Sequence, residues 1–387
     1  MEKKIFLDYA STTPVNNSVA NSMFECLTEK DFVGNPSSDT HYHGWKALNL
    51  IERSRKKVAD LIAASPKEII FTSGATESNN LAIRGIIDFH LPEKKHIITS
   101  CLEHKSVLET CRFLKDKGTE VTFLSTNKEG EINIKDVEKA IRENTALISI
   151  MSVNNELGTY YPIHEIGKIA KKKSIIFHVD GSQSVGKIDI NIKKTNIDLL
   201  SISSHKMYGP KGIGALFIKK ESNIRMNKIL YGGAHEQNMR PGTLPTHQIV
   251  GFGKACEIAK IDMKKNHLHI MNISSRFRNI LSKVKLAKIN SSLERSYPGI
   301  INVSFLGIDG EALLAFLYDI SVSMGSSCDS KVIQSSHVLS NIGLSDQEAS
   351  STFRFSFGFQ TTTEEIEYVG KKLINSIQNL EMLKYGI

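Results

Sequence analysis

The sequence predicts an α/β protein in which helices cover both faces of a mostly parallel sheet. Between residues 68 and 218, short runs rich in β-branched residues, such as HIITS at 96–100 and ALISIMSV at 146–153, alternate with helical patterns. The runs are continuously apolar, which is typical of strands that are buried on both faces. A helix between successive strands also favours right-handed parallel crossovers.

The elements of this region follow one another in a regular order. Predicted strands lie at 68–72, 96–100, 121–125, 146–153, 175–181, 198–203 and 214–218. Predicted helices separate the first five strands, at 75–89, 104–118, 135–144 and 164–173. Their apolar residues recur every three or four positions, as expected for helices that pack one face on a sheet.

The pattern changes after about residue 252. A long helical stretch at 253–284 leads to an isolated strand, GIINVSF at 299–305, with further helices after it. We therefore predict a large domain at 16–259 and a smaller α+β domain formed by 1–15 and 260–387. A polar segment at about 325–337, rich in small residues, is predicted to be a mobile loop of the small domain.

The composition excludes several classes of protein. The chain has 387 residues, of which 40% are hydrophobic and 23% charged, so it is neither fibrous nor wholly disordered. Its net charge of +8 is mild for this length, and we expect no direct binding of nucleic acid. No apolar run is long enough to span a membrane, and the amino-terminal residues are too polar for a secretory signal.

The cysteine pattern points to a reducing compartment. The number of cysteines is odd and no CxxC pair occurs, which argues against a disulfide framework and a cysteine zinc site. We therefore expect a cytoplasmic protein. Four of the cysteines are interpreted as small buried residues, whereas the one in the polar segment is a candidate nucleophile. The four are Cys26, Cys101, Cys111 and Cys256, and the candidate nucleophile is Cys328.

Polar residues concentrate at the ends of the predicted strands, which is where open α/β sheets bind their ligands. The turn at 73–76, SGAT, leads into a helix and suits a phosphate, although its Ser and Thr would equally serve as helix caps. His104 is either a ring that stacks on a flat ligand or an ordinary residue at a helix start. The adjacent amides of Asn154 and Asn155 need partners, which a ligand or a turn would supply.

Two strand ends carry charged residues. Asp180 closes an apolar strand, so its carboxylate needs a cation or several N–H donors, and a cationic ligand atom is a reasonable partner. Lys206 follows the strand at 198–203, beside hydroxyl groups and an imidazole. Burial and cationic neighbours would lower its pKa and allow it to form a Schiff base. In isolation, Lys206 also fits an exposed lysine before a Gly-Pro turn.

A carboxylate, a candidate Schiff-base lysine and a phosphate-binding turn at the strand ends of one domain meet the requirements of pyridoxal 5′-phosphate. The sequence resembles the cysteine desulfurases of the class-V aminotransferase group, most closely the housekeeping type that serves iron–sulfur assembly. The resemblance runs over almost the whole chain and implies fold type I of the pyridoxal-phosphate-dependent transferases. Ten motifs in the right order carry it, including FTSGATESNNLAIRG, EHKSVLETCR, HVDGSQSVGK, SSHKMYGPKGIGALF and GSSC.

The resemblance implies how the cofactor is held. Lys206 binds it covalently, Asp180 pairs with its pyridine nitrogen, and His104 stacks on its ring. Gln183 forms a hydrogen bond with the ring 3-oxygen. The residues implied to hold its phosphate are Ala75, Thr76, Ser203, His205 and, from the second subunit of a homodimer, Thr243.

The resemblance also implies the reaction. Asn155, which contacts the cofactor as well, and Arg354 bind the carboxylate of L-cysteine. Cys328 attacks the substrate sulfur, which leaves a persulfide on the enzyme and releases L-alanine. The implied acceptor is an iron–sulfur scaffold or a tRNA-thiolation enzyme. No resident metal is expected, apart from a transient iron–sulfur contact through Cys328.

Other functions are compatible with much of the same pattern. A selenocysteine lyase or an aminotransferase would share the fold, and a desulfurase dedicated to DNA sulfur modification would look much the same. An aminotransferase has no need of Cys328 in such a loop. A cofactor-free scaffold or basic binding module is the alternative from a different class, and it would bind no pyridoxal phosphate.

Overall fold

The computed structural model describes residues 4–222, 224–327 and 334–385. The strands of this part of the chain are β1 (Ile5–Phe6), β2 (Ile69–Thr72), β3 (His96–Ser100), β4 (Glu120–Leu124), β5 (Thr145–Ser149), β6 (Ile176–Asp180), β7 (Leu199–Ser203), β8 (Gly214–Ile218), β9 (Ala287–Ile289), β10 (Ile300–Phe305), β11 (Ile320–Ser321), β12 (Ser323–Met324), β13 (Ser326–Ser327), β14 (Gln334–Ser335) and β15 (Thr352–Ser356).

Helices separate most of these strands. They are α1 (Asn17–Thr28), α2 (Tyr42–Leu61), α3 (Ala75–His90), α4 (Lys105–Asp116), α5 (Ile134–Ala140), α6 (Ile163–Lys172), α7 (Ile192–Thr195), α8 (Thr246–Leu281), α9 (Gly310–Phe316), α10 (His337–Asn341), α11 (Asp346–Ser350) and α12 (Thr363–Tyr385). Short 3₁₀ helices lie at Lys30–Phe32, Pro66–Glu68, Ser204–Lys206 and Glu236–Asn238.

A seven-stranded sheet forms the centre of the large domain. Its strand order is β2-β8-β7-β6-β5-β3-β4, and β8 alone runs antiparallel to its two neighbours. All residues of β2, β3, β5 and β7 are buried, as the continuous apolar runs predicted. The predicted α/β class with a mostly parallel sheet is confirmed.

A second, antiparallel sheet has the order β12-β15-β10-β9. Its buried side chains, including Phe305, Phe353 and Phe355, form a separate apolar core with residues of α8, α9 and α12. The amino-terminal segment joins this region, because β1 pairs with β11 and Asp8 bridges to Ser356.

The long helix α8 contributes to both cores. Ile249 and Phe252 in its first part pack in the core of the seven-stranded sheet, whereas Phe277 and Leu281 near its end pack in the second core. The predicted domain boundary at 259/260 falls inside this continuous helix. The division into 16–259 and the remainder therefore stays a prediction.

The topology brings several chain segments to one edge of the large sheet. Strands β3, β5, β6 and β7 run parallel, so their carboxyl ends lie at the same edge. Residues that follow these strands, although distant in sequence, are therefore neighbours. No helix among the described residues has the length and apolar character needed to cross a membrane.

Candidate active site

A cavity of about 590 Å³ lies at this edge of the sheet. Ten of the twelve predicted site residues line it: Ala75, Thr76, His104, Asn155, Asp180, Gln183, Ser203, His205, Lys206 and Arg354. Thr243 does not line the cavity of its own chain and is exposed. Cys328 lies outside the described residues.

Lys206 ends the 3₁₀ helix that directly follows β7. Its Nζ donates hydrogen bonds to the carbonyl oxygens of Ala10 (2.7 Å) and Ser11 (2.6 Å). Burial lowers its pKa to about 8, helped by the positive charge of Arg354 and opposed by the negative charge of Asp180. A larger fraction of this amine is therefore uncharged near neutral pH than for an exposed lysine, as expected for a nucleophilic lysine.

Asp180 is the last residue of β6 and is only 6% exposed. Its Oδ1 accepts hydrogen bonds from the backbone N–H and the hydroxyl of Ser182, and its Oδ2 accepts one from Asn79 Nδ2 at 2.8 Å. These donors compensate a buried carboxylate for its lost hydration. A negative side chain is thereby held at the cavity wall, suited to a protonated ring nitrogen.

His104 is both a cavity residue and the N-cap of α4. Its Nδ1 accepts the backbone N–H of Ser106, which leaves Nε2 as the protonated nitrogen of a neutral ring. Burial lowers the pKa of His104. Asn79 Nδ2 donates to both Asp180 and Ser106, so one amide connects the carboxylate to the segment that orients the imidazole. The two interpretations of His104 are compatible.

The turn before α3 offers free N–H groups. Gly74 is the N-cap of this helix, and no side chain caps it, so capping does not account for the Ser and Thr of the turn. The backbone of Gly74, with φ +155° and ψ −179°, is one that only glycine adopts readily, and a Cβ there would meet open space. The amino end of a 16-residue helix thus faces the cavity, as an anion site requires.

The other phosphate candidates lie beside this turn. The pKa of His205 is lowered to about 4, by burial first and then by the charges of Lys206 and Lys211. Its imidazole is therefore neutral at physiological pH and can offer a hydrogen bond but no charge. Lys211 also lines the cavity and supplies a positive charge there.

Asn154 and Asn155 have different roles. Asn154 is fully buried, and its side chain accepts the backbone N–H groups of Glu156 and Leu157, so it stabilises a turn. Asn155 lines the cavity. Arg354 donates to the Asn155 carbonyl oxygen, while its buried Nε has no hydrogen-bond partner among the described residues. This arginine can therefore donate a hydrogen bond to a further, anionic partner.

A second cavity of about 520 Å³ shares His104, Asn155 and Arg354 with the first. Gly325, Ser335, Ser336 and His337 also line it. Strands β13 and β14 pair antiparallel at this place, with Ser327 opposite Gln334. Cys328 follows β13 directly in sequence, so β13 ends one residue before the candidate nucleophile. Within the predicted mobile loop at about 325–337, residues 326–327 and 334–335 are therefore strands, and a helix begins at His337.

The residues present fit pyridoxal 5′-phosphate. The cavity has a lysine for the aldehyde, a buried carboxylate for the ring nitrogen, and an uncapped helix start with Lys211 for the phosphate. Arg354 lines the cavity, and its Nε is a buried polar atom without a partner among the described residues, which is expected where a polar ligand completes the site.

Comparison with known proteins identifies the class of enzyme that has this fold and this set of polar groups. The family model for class-V aminotransferases matches residues 5–369, and the chain belongs to that family of pyridoxal-phosphate-dependent enzymes. Cysteine desulfurase IscS of Shewanella woodyi is 48% identical over 394 residues, covering 100% of this chain and 98% of the relative. The predicted family and cofactor are thereby confirmed.

Solved structures agree with this assignment. A chain described as a NifS-like protein has a TM-score of 0.91 and 35% identity, and the match covers 97% of this chain and 100% of that chain. SspA in complex with cysteine has a TM-score of 0.82 and 40% identity, covering 92% and 100% respectively. The predicted transferase fold is therefore confirmed as well.

Several residues that shape the site were not predicted. Asn79 lies three residues after Thr76 on the same face of α3, and this helical spacing is a signal that could have found it. Glu103 is fully buried directly before His104, and both of its oxygens accept the Met151 N–H. Nothing in the sequence indicated that contact.

Proposed function

We propose that this chain is a cysteine desulfurase, which converts L-cysteine into L-alanine and holds the released sulfur as a persulfide on Cys328. The observation that carries the proposal is that Lys206, Asp180 and Arg354 all line one cavity. The first two suit the cofactor and the third suits an amino-acid carboxylate.

When bound, pyridoxal 5′-phosphate supplies an electron-withdrawing ring that weakens the bonds around the substrate's α-carbon. Lys206 provides the amine for its aldehyde and, once free, takes the proton from the substrate's α-carbon. Asp180 keeps the ring nitrogen protonated, and His104 covers the ring face. Gln183 donates a hydrogen bond to the ring 3-oxygen. The phosphate is assigned to Ala75, Thr76, Ser203 and His205.

Substrate binding is assigned to Asn155 and Arg354. The unpartnered Nε of Arg354 supports this role, because a guanidinium binds a carboxylate through two N–H groups. A neighbouring carboxylate, Asp8, also contacts Arg354, with Oδ1 2.6 Å from Nη2, so the arginine is held in place before substrate arrives.

Cys328 is proposed to take the sulfur. Its thiolate forms a bond to the substrate sulfur while the substrate's Cβ–Sγ bond breaks, and the electron pair of that bond remains with the carbon. Protonation of that carbon yields alanine. The pairing of β13 with β14 next to Arg354 supports this assignment, because it anchors the segment beside the substrate end of the cavity.

A homodimer is proposed to complete the site through Thr243. Thr243 is exposed and does not line the cavity of its own chain, which supports a role in a second copy. The chain also exposes large apolar side chains on and between α1 and α2, namely Phe24 (65%), Leu27 (61%), Val33 (71%) and Trp45 (55%). Such a surface is typical of a contact with another chain.

The sulfur acceptor is proposed to be an iron–sulfur scaffold or a tRNA-thiolation enzyme. The likeness to IscS of Shewanella woodyi over full length supports this choice over a role in DNA sulfur modification. A cytoplasmic location is proposed as well, and the free cysteines among the described residues, Cys26, Cys101, Cys111 and Cys256, support a reducing environment.

The test is mass spectrometry of the holoenzyme after incubation with L-cysteine. We expect one added sulfur atom on the peptide that contains Cys328, and alanine in solution. Cys328→Ser should keep its visible cofactor absorbance. It should form no persulfide at residue 328, and it should not release alanine at the wild-type rate. Cys26→Ser, the matched control, should behave as wild type. Undiminished sulfur release by Cys328→Ser would overturn the persulfide step.

A further inference from the structure

The amide of Gln183 is held at both ends. Gln183 is 4% exposed; its Oε1 accepts a hydrogen bond from Lys187 Nζ at 2.7 Å, and its Nε2 donates one to the Ala10 carbonyl oxygen at 2.7 Å. An amide nitrogen carries two hydrogens. One N–H therefore remains for a group in the cavity that Gln183 lines.

Lys187 acts on this amide in two ways. In its protonated form Lys187 has donors only, so it favours the orientation in which the Gln183 oxygen faces it and the nitrogen faces the cavity wall. A positive charge at Oε1 also polarises the amide, which strengthens its N–H as a donor. The Ala10 carbonyl oxygen alone would favour this orientation only in part, and it would place no positive charge at Oε1.

Among the residues that the structure describes, Lys187 has no partner that competes with Gln183. No ion pair within the described ranges joins it to a carboxylate, and its nearest ring is that of Tyr297, 5.8 Å from Nζ. The charged groups that face it are Lys206 and Arg354, and with burial they lower its pKa to about 7. The titratable groups that share a small cavity with it are Tyr9, Tyr208, Tyr297 and His267.

The backbone before Lys187 is built for this position. Gly186 has φ +79°, a left-handed conformation that side chains rarely adopt, and a Cβ there would lie 3.0 Å from two atoms of Met207. The turn after β6 therefore needs a glycine directly before Lys187.

We infer that Lys187 is a positioning residue that orients and polarises the Gln183 amide towards an anionic oxygen of the bound cofactor. The inference rests on the proposed function, in which Gln183 donates to the ring 3-oxygen. Lys187 touches neither substrate nor cofactor in this assignment and acts through Gln183.

The test uses the holoenzyme without substrate, so that its readouts are independent of turnover. Lys187→Met removes the donor and the charge while keeping the aliphatic chain. The visible absorbance of the cofactor should then titrate at a pH about 1 unit higher. The anionic oxygen is less stabilised, so the proton that offsets its charge is lost only at a higher pH. Cofactor affinity should fall about tenfold, as for loss of one charge-assisted hydrogen bond.

A double-mutant cycle separates this role from a merely structural one. In the Gln183→Ala background, Lys187→Met should produce no further shift in the titration or the affinity, because Lys187 acts through Gln183. Lys193→Met, on the exposed face of α7, is the matched control and should leave both unchanged. Lys187→Arg keeps a cationic donor, so its cofactor absorbance should titrate close to wild type. This variant gives a second test if Lys187→Met folds poorly.

The outcomes distinguish this inference from the proposed function. A wild-type protein that never acquires visible cofactor absorbance contradicts the proposed function itself. A normal holoenzyme in which Lys187→Met titrates as wild type, or shifts equally in the Gln183→Ala background, overturns the inference and leaves the function intact.

Discussion

Asp8 Oδ1 lies 2.6 Å from Arg354 Nη2, so a carboxylate from the amino-terminal segment neutralises an arginine of the second sheet at the edge of the cavity. The two residues are 346 positions apart in sequence. Both charges also act on Lys206, whose pKa Arg354 lowers and Asp8 raises. Burial is the main cause of the lowered Lys206 pKa, and this pair adds two smaller, opposing effects to it.

The pH dependence of cofactor attachment should report the pKa of Lys206. The uncharged amine attacks an aldehyde, so attachment to cofactor-free protein should speed up with rising pH and level off above about 8. Arg354→Gln removes a repelling cation and should move the midpoint to higher pH, whereas Asp8→Asn should move it to lower pH. Stopped-flow absorbance gives the midpoint, and Arg276→Gln on the exposed face of α8 is the control. A midpoint near 10 in the wild type would contradict the expectation.

Glu103 should make the fold less stable as the pH rises. Burial, with the negative charge of Asp180, raises its pKa well above the usual value. The folded protein then keeps the Glu103 proton at pH values where the unfolded chain has lost it. This contribution to stability is therefore fully present below about pH 4.3 and declines as the pH rises above that value. Glu103→Gln should melt about 2–4 °C higher than wild type at pH 8.

The gain from Glu103→Gln should shrink as the pH approaches 5, and calorimetry across this range checks the trend. Glu109→Gln, an exposed change on α4, is the control and should show no such dependence. A gain that is equal at all pH values would show that Glu103 does not hold a proton.

The buried ion pair between Arg55 and Glu236 should be important for stability. The guanidinium binds both carboxylate oxygens at 2.7 Å, and Glu236 Oε2 also accepts the Phe71 N–H of β2. Glu236→Ala leaves the buried Arg55 with the half-exposed Glu52 as its remaining carboxylate partner and should cost about 3–5 kcal/mol in urea unfolding. Asp60→Ala, which breaks an exposed pair with Lys56, should cost at most about 1 kcal/mol. Similar losses for the two variants would contradict this account.

Gly74→Ala should weaken cofactor binding without filling any space. Apart from its two chain neighbours, no residue has an atom within 4 Å of a Cβ built at Gly74, so the effect comes from the backbone conformation, at a cost of about 1–3 kcal/mol. Gly118 also has a positive φ, +94°, and open space, but it lies at the far end of α4. Both alanine variants should lose stability, and Gly74→Ala alone should lose cofactor affinity in an equilibrium absorbance titration.

The strand ends were predictable because they follow from local pattern and general topology. Continuous apolar runs separated by helices predict parallel strands buried on both faces, and parallel strands end at one edge of a sheet. His104, Asp180 and Lys206 were therefore expected together before any contact was known, and the structure places them on one cavity. Their motifs also identified the family.

The amino-acid sequence by itself determined the fold class, the elements of the large sheet and the identity of the strand-end residues, because hydrophobic periodicity and turn residues act locally. Only the tertiary structure decided which polar groups meet. Asn79 with Asp180, Lys187 with Gln183 and Asp8 with Arg354 depend on how helices and segments pack against the sheet. A hydrogen bond requires its atoms to approach within about 3 Å, and no sequence pattern specifies a distance between residues that folding brings together from far apart.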